Sequence, residues 1–415
     1  MYQAPRGTTD ILPEDQDYWV FLEEKISEIT RLYGYERIET PVFEDSSLYT
    51  RTTGEYTDIV QKEMYTFEDR GGNSLSLRPE GTPSVCRAYI QHGLQNKPQP
   101  VKLYYLTSIF RYERPQAGRY RQSHQFGCEA IGDADPALDA EIIDIAWRLY
   151  QAAGLQNISI LINSIGCREC RPKYLEALKG HYSGKEEILC SDCKTRLVNN
   201  PLRLLDCKQP KCQDITDSAP RNIDFLCDEC SAHLDKVKEY LVALELPYQL
   251  NHRLVRGLDY YSRTVFEVQP EDDRAQATIG GGGRYDYLIE ELGGKPTPGV
   301  GIATGIERII LNMKKQGVEV PLLPSPRVLV AYMGDEAKKQ AVRLTSDLRE
   351  AGISTVNAAS GKSLKAQLKQ ANTLGVSYTV ILGEDEVKNS TAVLRDMTNA
   401  SQEIVPFNKL LELLK

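Results

Sequence analysis

Four consecutive glycines, Gly280–Gly283, constrain the fold of this chain more than any other feature of its sequence. Glycine within a strand costs roughly 0.5–1 kcal/mol relative to alanine, so such a tract does not itself stabilise a strand. Thr278 and Ile279, which precede it, favour a strand over the alternative of a flexible loop. We therefore expect a strand on whose backbone another part of the molecule packs directly.

The composition is typical of a globular protein large enough for two or three domains. The 415 residues are 41% hydrophobic and 26% charged. No apolar run approaches the length of a membrane span, and the N-terminal segment MYQAPRGTTD lacks the apolar core of a signal peptide, so we expect a cytoplasmic protein with no membrane partner. The formal net charge of −8 argues only mildly against nucleic acid as a partner, because such binding depends on local basic patches.

The segment from Val101 to Gly132 is expected to form two antiparallel strands joined by a basic loop. Tyr112 and Tyr120 alternate there with four arginines. Planar guanidinium donors at this density match bidentate recognition of phosphate. The alternative is a solvated charged hairpin, but such a face would normally mix lysines with acidic residues, so we favour phosphate contact. The four arginines are Arg111, Arg114, Arg119 and Arg121.

The stretch Leu254–Glu267, with the sequence LVRGLDYYSRTVFE, combines a lone arginine with two tyrosines and ends as a strand. Arg256 is a candidate for a fixed, always-ionised cation directed at phosphate or carboxylate. Tyr260 and Tyr261 would add hydroxyl groups beside it. The alternative for these residues taken alone is an edge strand with surface charges.

Two shorter motifs carry polar groups next to strands. SLSLRPEGT predicts a strand and then a turn, which leaves Glu80 and Thr82 on a loop. A lone loop carboxylate is usually solvated, so Glu80 has no predicted role by itself. GVGIATGIERIILNMKK predicts a strand, a turn and a helix, with Glu307 and Arg308 in the first turns of the helix.

The C-terminal quarter has a different pattern. The segment VEVPLLPSPR carries three prolines and is a candidate linker. Beyond it, strands and helices alternate cleanly, which predicts a small α/β domain with a mostly parallel sheet. We find no catalytic constellation in this domain, so we expect a binding module.

Eight of the ten cysteines lie within one short segment and form four closely spaced pairs. In a long chain without a signal peptide, such pairs favour metal or redox chemistry over disulfides. Eight thiolates could fill two closed, tetrahedral zinc sites, although the spacing does not tell which pairs would share an ion. The alternative is a helical insertion with reduced, partly buried cysteines and no metal. The pairs are Cys167 with Cys170, Cys190 with Cys193, Cys207 with Cys212, and Cys227 with Cys230.

Three stretches resemble, in this order, the three signature motifs of class II aminoacyl-tRNA synthetases. They are the region of Pro41, FRYE at Phe110–Glu113 and GIER at Gly305–Arg308. RLVRGLDYY and GGGGRYD resemble the two peptides peculiar to the histidyl-tRNA synthetase family, and LRPEGT and RPQAGRYRQ also fit that family. The resemblance extends from PRGTTDILP to the C-terminal α/β domain, so it covers essentially the whole chain.

The resemblance implies an α+β catalytic domain with an antiparallel sheet over residues 1–320, interrupted by a helical cysteine-rich insertion at 167–235. A linker at 321–327 and an α/β anticodon-binding domain at 328–415 would follow. The Pro41 motif implies a homodimer. The implied activity joins L-histidine to tRNA(His) through a histidyl-adenylate, with ATP and Mg²⁺. The alternative is a catalytically silent paralogue that regulates histidine biosynthesis or senses tRNA, but such paralogues usually lack the C-terminal domain.

The resemblance also implies roles for individual residues. Arg256 and Arg111 would be catalytic, with Arg256 against the α-phosphate. Arg111 and Arg308 would hold the ATP phosphates, Arg119 would lie near the γ-phosphate, and Glu113 would accept from the adenine amino group. The implied histidine pocket comprises Glu80, Thr82, Arg111, Gln125, Glu129, Arg256, Tyr260, Tyr261 and Tyr285. Candidates for contact with the tRNA acceptor stem are Arg114, Gln116 and Arg121. The family resemblance does not require zinc.

Overall fold

A computed structural model describes residues 2–115, 118–270 and 278–415 of the chain. The chain divides into two compact units, Met1–Val320 and Pro321–Lys415. Among the described residues, every helix is too short or too polar to cross a membrane.

The first unit contains, within its described residues, ten α-helices and eleven β-strands. The helices are α1 Gln16–Leu32, α2 Ser46–Thr53, α3 Thr82–Gln91, α4 Pro136–Ala152, α5 Arg171–Tyr182, α6 Ser191–Asn199, α7 Pro210–Thr216, α8 Asp228–Ala243, α9 Leu288–Glu291 and α10 Ile306–Lys315. The strands are β1 Glu36–Arg37, β2 Phe43–Asp45, β3 Thr66–Glu68, β4 Ser74–Leu77, β5 Val101–Phe110, β6 Gln122–Ile131, β7 Ile158–Ser164, β8 Tyr248–Leu250, β9 Ser262–Pro270, β10 Gly280–Arg284 and β11 Gly299–Gly305.

Eight of these strands form one sheet, in the order β1-β5-β6-β11-β10-β9-β7-β8. All neighbours are antiparallel except the two outermost pairs, β1 with β5 and β7 with β8. The predicted antiparallel sheet is therefore confirmed, and β9 lies inside the sheet, which excludes the edge-strand alternative for its residues. The remaining three strands form a small separate sheet, β2-β4-β3.

Helices α1, α4 and α10 cover one face of the large sheet with apolar side chains. In α1 the spacing of Leu22, Ile26 and Ile29 places three buried residues on one stripe. Helix α4 starts at Pro136 after the side chain of Asp135 caps its first turn. Since these helices fill that face, the polar side chains of β6, β9 and β11 that do not pack against the helices are presented on the opposite face.

The insertion at 167–235 contributes helices α5 to α7 and the beginning of α8. The helical character predicted for it is confirmed. Helix α8 begins at Asp228, directly after Cys227.

The second unit contains four helices and five strands. The elements are β12 Val328–Tyr332, α11 Asp335–Glu350, β13 Thr355–Asn357, α12 Leu364–Leu374, β14 Tyr378–Leu382, α13 Glu384–Lys388, β15 Thr391–Asp396, β16 Gln402–Pro406 and α14 Phe407–Leu414.

The five strands form one sheet in the order β13-β12-β14-β15-β16. The sheet is mixed, so the prediction of a mostly parallel sheet is wrong: β12 is parallel to β13 and β14, but β14–β15 and β15–β16 are antiparallel. The sequence pattern did not reveal the hairpin β15–β16 because most side chains of β16 are exposed.

Candidate active site

The glycine tract forms strand β10 between β9 and β11, and neighbouring atoms lie directly against its backbone. A Cβ atom at Gly281 would lie 2.8 Å from Nη1 of Arg256 and 2.7 Å from the carbonyl oxygen of Phe266. A Cβ atom at Gly282 would lie 1.9 Å from the carbonyl oxygen of Gly301. The expectation that another group packs on this backbone is confirmed, and at Gly281 that group is the lone arginine singled out in the sequence.

A single cavity on this face of the sheet is lined by residues from four distant segments. Arg111 directly follows β5, Gln125 lies in β6, Arg256 precedes β9, and Arg308 lies in the first turn of α10. The structure therefore brings together groups that are far apart in the sequence. The cavity walls include nine of the predicted site residues: Glu80, Arg111, Glu113, Arg119, Gln125, Arg256, Tyr260, Tyr261 and Arg308.

Positive charge is concentrated in this cavity. Arg308 donates from Nη1 to the carbonyl oxygen of Thr278 at 2.7 Å and from Nε to that of Gly118 at 3.1 Å. Burial lowers the pKa of Arg308, and the positive charges of Arg119, Arg111 and Arg256 lower it further. Four guanidinium groups that repel one another at this range suit a polyanionic ligand such as a triphosphate.

Arg256 is held by Glu267, with which it forms an ion pair through Nη1. Burial alone would lower the pKa of Arg256, but Glu267, Tyr261 and Tyr260 together outweigh it, so the pKa lies above its usual value. Glu267 also accepts from Thr278 Oγ1 at 2.7 Å and Gln269 Nε2 at 3.0 Å. Nε of Arg256 is buried and has no hydrogen-bond partner among the residues that the structure describes. Arg256 is thus held in place while its Nε–H group remains free to donate to a ligand. It lies on an irregular segment rather than on a strand.

Glu80 forms an acidic wall of the cavity. Its carboxylate accepts from the hydroxyl groups of Tyr260 at 2.8 Å and Thr53 at 3.1 Å. Burial raises the pKa of Glu80, while the charge of Arg111 opposes this increase. The interpretation of Glu80 as a solvated loop carboxylate, which the sequence alone favoured, is therefore wrong, since only 3% of Glu80 is exposed. The ring of Tyr260 lies beside that of Tyr261, with centroids 4.7 Å apart.

Three further predicted residues, Thr82, Glu129 and Tyr285, lie buried beneath the cavity rather than along its wall. Glu129 accepts from Tyr285 at 2.6 Å, Thr82 at 2.7 Å and Tyr105 at 3.3 Å. Burial raises its pKa to about 8, although these hydroxyl groups lower it. A Cβ atom at Gly301 would lie 1.9 Å from Oε2 of Glu129, so this glycine makes room for the carboxylate.

The buried layer connects with the cavity through aromatic rings. The ring of Tyr260 meets that of Tyr285 edge to face, with centroids 6.1 Å apart. Thr82 is the first residue of α3, whereas the sequence placed it on a loop. Its hydroxyl group thus points towards Glu129 from the start of α3, and the backbone of this helix sets the position of the hydroxyl group.

Two buried acceptors on the cavity wall lack hydrogen bonds to any part of the chain that the structure describes: Oε2 of Glu113 and Oε1 of Gln125. Among the described residues, the carboxylate of Glu113 makes long charge contacts, 3.9 Å to Arg111 and 3.7 Å to Arg119. An unsatisfied buried acceptor is costly, so each position fits a donor supplied by a ligand.

Two of the predicted acceptor-stem residues, Arg114 and Arg121, are not among the residues that line the cavity. Arg114 is exposed. Arg121 packs over the ring of Tyr112, with 3.8 Å from its guanidinium carbon to the ring centroid, and its backbone N–H donates to Gly7 at 2.7 Å. Gln116 lies outside the described residues.

Several residues of the site were not identified from the sequence. Glu267 is the last residue of the stretch LVRGLDYYSRTVFE, and a carboxylate so close to a lone arginine was a usable signal. His124 donates to Glu307 from its backbone N–H at 2.9 Å and contacts it through Nδ1 at 2.9 Å. Thr53 and Tyr105 carry no local signal, because their importance arises from partners distant in the chain.

The eight clustered cysteines gather into two groups of four. One group joins the two ends of the insertion and consists of Cys167, Cys170, Cys227 and Cys230. The other lies between them and consists of Cys190, Cys193, Cys207 and Cys212. Within each group all sulfur atoms lie within 4.8 Å of one another, and no disulfide is formed among the described cysteines.

Comparison with known proteins identifies relatives of the whole chain. The family model of histidyl-tRNA synthetase matches residues 7–170 and 217–309, and a model of the anticodon-binding domain matches residues 327–415. The chain is 61% identical to a histidine–tRNA ligase of Dehalococcoides mccartyi and 51% identical to one of Desulforamulus reducens, with 99% of this chain and 98% of each relative covered.

Among solved structures, apo histidyl-tRNA synthetase of S. aureus superposes with a TM-score of 0.83 at 39% identity, over 100% of both chains. Between its two matched ranges, the family model leaves residues 171–216 unmatched. These residues fall within the cysteine-rich insertion. The fold of the whole chain is thus shared with the S. aureus protein, and the C-terminal unit corresponds to the anticodon-binding domain. The chain belongs to the histidyl-tRNA synthetase family.

Proposed function

We propose that this chain joins L-histidine to tRNA(His) in two steps. ATP first activates histidine as histidyl-adenylate with release of pyrophosphate, and the histidyl group then passes to the 3′ end of the tRNA. One observation carries the proposal: four guanidinium groups converge on a cavity that is also walled by a buried carboxylate and two tyrosines. These groups belong to Arg111, Arg119, Arg256 and Arg308, with Glu80, Tyr260 and Tyr261.

In the proposed ATP site, Arg111 and Arg308 hold the phosphates and Arg119 lies near the γ-phosphate. Glu113 accepts from the adenine amino group, which would satisfy its buried and unpartnered Oε2. Mg²⁺ entering with ATP would neutralise part of the phosphate charge, and it needs at most one or two protein carboxylates beside phosphate oxygens. Glu307 lies on the cavity wall and fits that requirement.

In the proposed histidine pocket, Glu80 and Gln125 offer acceptors to the ammonium and imidazole groups of the substrate. Glu129 and Tyr285 would complete the pocket from below, through the layer that Tyr260 connects to the cavity. A site built to pair polar groups rejects substrates that leave those groups unpaired. This supports selection of histidine over apolar amino acids of similar size.

The chemistry of the first step needs positioning and charge neutralisation rather than a general base. A carboxylate oxygen of histidine attacks the α-phosphorus of ATP, and the bond to the bridging oxygen of pyrophosphate breaks. Arg256, held by Glu267, would lie against the α-phosphate and stabilise the charge that develops there. Since the arginine is already fixed before the reaction, little reorganisation is needed.

In the second step a ribose hydroxyl group of the terminal adenosine attacks the histidyl carbonyl carbon, and AMP leaves. We propose that the C-terminal unit binds the anticodon region, consistent with the match over residues 327–415. Arg114, Gln116 and Arg121 remain candidates for contact with the acceptor stem. Of these, Arg114 is exposed, as phosphate contact requires.

We also propose a homodimer, formed through the region of Pro41. Val42, Phe43 and Phe67 are exposed on the small sheet there, and the two phenylalanine rings lie 6.3 Å apart. Exposed apolar groups in contact commonly mark a protein interface. Sedimentation velocity should therefore give twice the chain mass of 46.7 kDa, and Phe43→Glu should shift the protein towards monomer. A monomeric wild type would contradict the proposal.

The activity is tested by histidine-dependent exchange of pyrophosphate into ATP, followed by charging of tRNA(His). A regulatory or tRNA-sensing paralogue would show neither activity. That alternative is not favoured, because the ligase relatives match the whole chain, including the C-terminal unit. Absence of exchange in well-folded protein would nevertheless overturn the proposed function.

A further inference from the structure

We propose that the insertion binds two Zn²⁺ ions, one on each group of four cysteines, and that the two sites brace the segment Asp259–Tyr261, whose two tyrosines line the cavity. We call the group that joins the insertion's ends the outer site, formed by Cys167, Cys170, Cys227 and Cys230. The inner site consists of Cys190, Cys193, Cys207 and Cys212. The bracing role rests on the proposed function, whereas the metal sites do not.

The spacing of the sulfur atoms fits tetrahedral zinc. In the outer site, Sγ of Cys167 lies 3.7 Å from Sγ of Cys170 and 3.8 Å from that of Cys227. In the inner site, Sγ of Cys190 lies 3.9 Å from Sγ of Cys207. Zinc binds thiolate sulfur at about 2.3 Å, which places the sulfur atoms of a tetrahedral site about 3.8 Å apart. A disulfide would require about 2.05 Å instead.

The surroundings of the sulfur atoms also suit thiolates. Backbone N–H groups point at them: Cys167 donates to Sγ of Cys170 at 3.2 Å, and Glu169 donates to Sγ of Cys167 at 3.4 Å. In the inner site Cys193 donates to Sγ of Cys190 at 3.4 Å, and Cys190 to Sγ of Cys212 at 3.3 Å.

The ligand type then selects the ion. An all-sulfur tetrahedron favours zinc over Mg²⁺ or Ca²⁺, which prefer oxygen ligands. Four protein ligands on each ion close both sites, so we infer structural rather than catalytic ions.

The outer site leads directly to the tyrosine wall. Cys167 and Cys227, which are 60 residues apart, would be tied together by the ion. The next residue after Cys170 is Arg171, whose Nη2 donates to the carbonyl oxygen of Tyr261 at 2.5 Å. The backbone N–H of Arg263 donates to Gly166 at 2.9 Å, on the other side of the same junction. Fixing the ends of the insertion therefore fixes Tyr261.

The inner site acts on the neighbouring residue. Cys193 and Cys207 flank a short segment that contains Asn200, whose Nδ2 donates to Oδ1 of Asp259 at 2.6 Å. The backbone N–H of Asp259 in turn donates to Thr53 at 3.1 Å, and the hydroxyl group of Thr53 contacts Glu80. The inner site thus supports the acidic side of the pocket, and the outer site supports its aromatic side.

The metal sites are tested by native mass spectrometry and elemental analysis of the full-length protein. We expect two zinc ions per chain in the wild type, one in Cys167→Ser/Cys230→Ser and one in Cys193→Ser/Cys212→Ser. Cys86→Ser, at a buried cysteine outside both groups, should keep two. Less than about half an equivalent of zinc per chain in the wild type, or iron in its place, would overturn the assignment.

Variants of the cysteines can fail to fold, so the wild type supplies a second measurement. After removal of zinc, titration with Co²⁺ should produce the intense visible absorption of tetrahedral cobalt thiolate and saturate at two ions per chain. Saturation at one ion, or a spectrum without thiolate charge-transfer bands, would contradict two tetrathiolate sites.

The bracing role is tested with variants that leave every cysteine in place. Arg171→Ala and Asn200→Ala should each raise KM for histidine about tenfold, the effect of one well-placed hydrogen bond, while KM for ATP and the zinc content stay unchanged. Lys173→Ala, exposed on the same helix as Arg171, should change neither constant. Normal KM for histidine in both variants would overturn the bracing role but not the metal sites. A wild type with two zinc ions and no exchange activity would refute the proposed function instead.

Discussion

Arg256 and Glu267 are paired across eleven residues of the chain, and Arg256 lines one side of the cavity. Glu267 receives two further donors, Thr278 Oγ1 and Gln269 Nε2, so its carboxylate has little freedom to move. Gly281, which has no side chain, allows the guanidinium group to lie close to strand β10. The orientation of the proposed catalytic cation therefore depends on a carboxylate that is not among the residues that line the cavity.

Glu267→Gln should lower kcat for pyrophosphate exchange while KM for histidine changes little. Arg256 would keep its charge but lose its anchor, and a misplacement of about 1 Å can cost on the order of 10²-fold in rate. Gln269→Ala, which removes a partner of Glu267 but not of Arg256, is the matched control. A normal kcat in Glu267→Gln would show that the ion pair does not position the arginine.

Arg256→Leu should reduce exchange by about 10²–10³-fold, the usual effect of removing a preorganised donor from a developing charge. Histidine binding, measured by isothermal titration calorimetry, should persist, because Glu80 and Gln125 still offer their acceptors to the substrate. Arg256→Lys should recover only part of the rate, since an ammonium group cannot reproduce the planar donors. Near-normal exchange in the leucine variant would refute the assigned role.

Gly281→Ala should lower both activity and thermal stability. The new Cβ atom would lie 2.8 Å from Arg256 and 2.7 Å from the carbonyl oxygen of Phe266, and a backbone atom cannot move aside easily. Overpacking of this kind costs roughly 1–3 kcal/mol. Gly180→Ala is the control, because nothing lies within 4 Å of its Cβ position; it should be neutral or slightly stabilising. Equal melting temperatures for the two variants would contradict the prediction.

The parts of the site that local chemistry alone could predict were those with an unusual density of one residue type. Four glycines in a strand indicated close packing, and clustered arginines on a hairpin indicated an anion site, of which Arg111 and Arg119 line the cavity. Glu80 could not be recognised in this way, because a lone carboxylate on a loop looks the same whether buried or solvated. Its role came from family resemblance, and its burial from the structure.

Long-range contacts account for what the sequence could not predict. The grouping of the cysteines depends on how the insertion closes, and Cys167 joins Cys227 rather than the nearer Cys190. Tyr105 faces Glu129 only because β5 and β6 pair in a particular register, with Tyr105 opposite Gly127. Strand β16 was not predicted from the sequence, because its exposed side chains lack the apolar alternation that marks a half-buried strand.

Glu129 should make the unliganded protein less stable as the pH rises. In the folded chain its pKa is raised to about 8 by burial, whereas an unfolded glutamate titrates at about 4.3. Between these values the folded state binds one more proton than the unfolded state, so the stabilising contribution is fully present below the lower pKa and is lost as the pH approaches 8.

Glu129→Gln removes this titration and keeps a hydrogen-bonding side chain of the same size. The melting temperature of the wild type should therefore fall relative to that of Glu129→Gln as the pH rises from about 5 to about 8.5, by an amount on the order of a few degrees. All other titrating groups are common to both proteins, so the difference between the two curves isolates Glu129. A difference that stays constant across this range would mean that Glu129 is already ionised at pH 5. Its three hydroxyl partners would then outweigh burial.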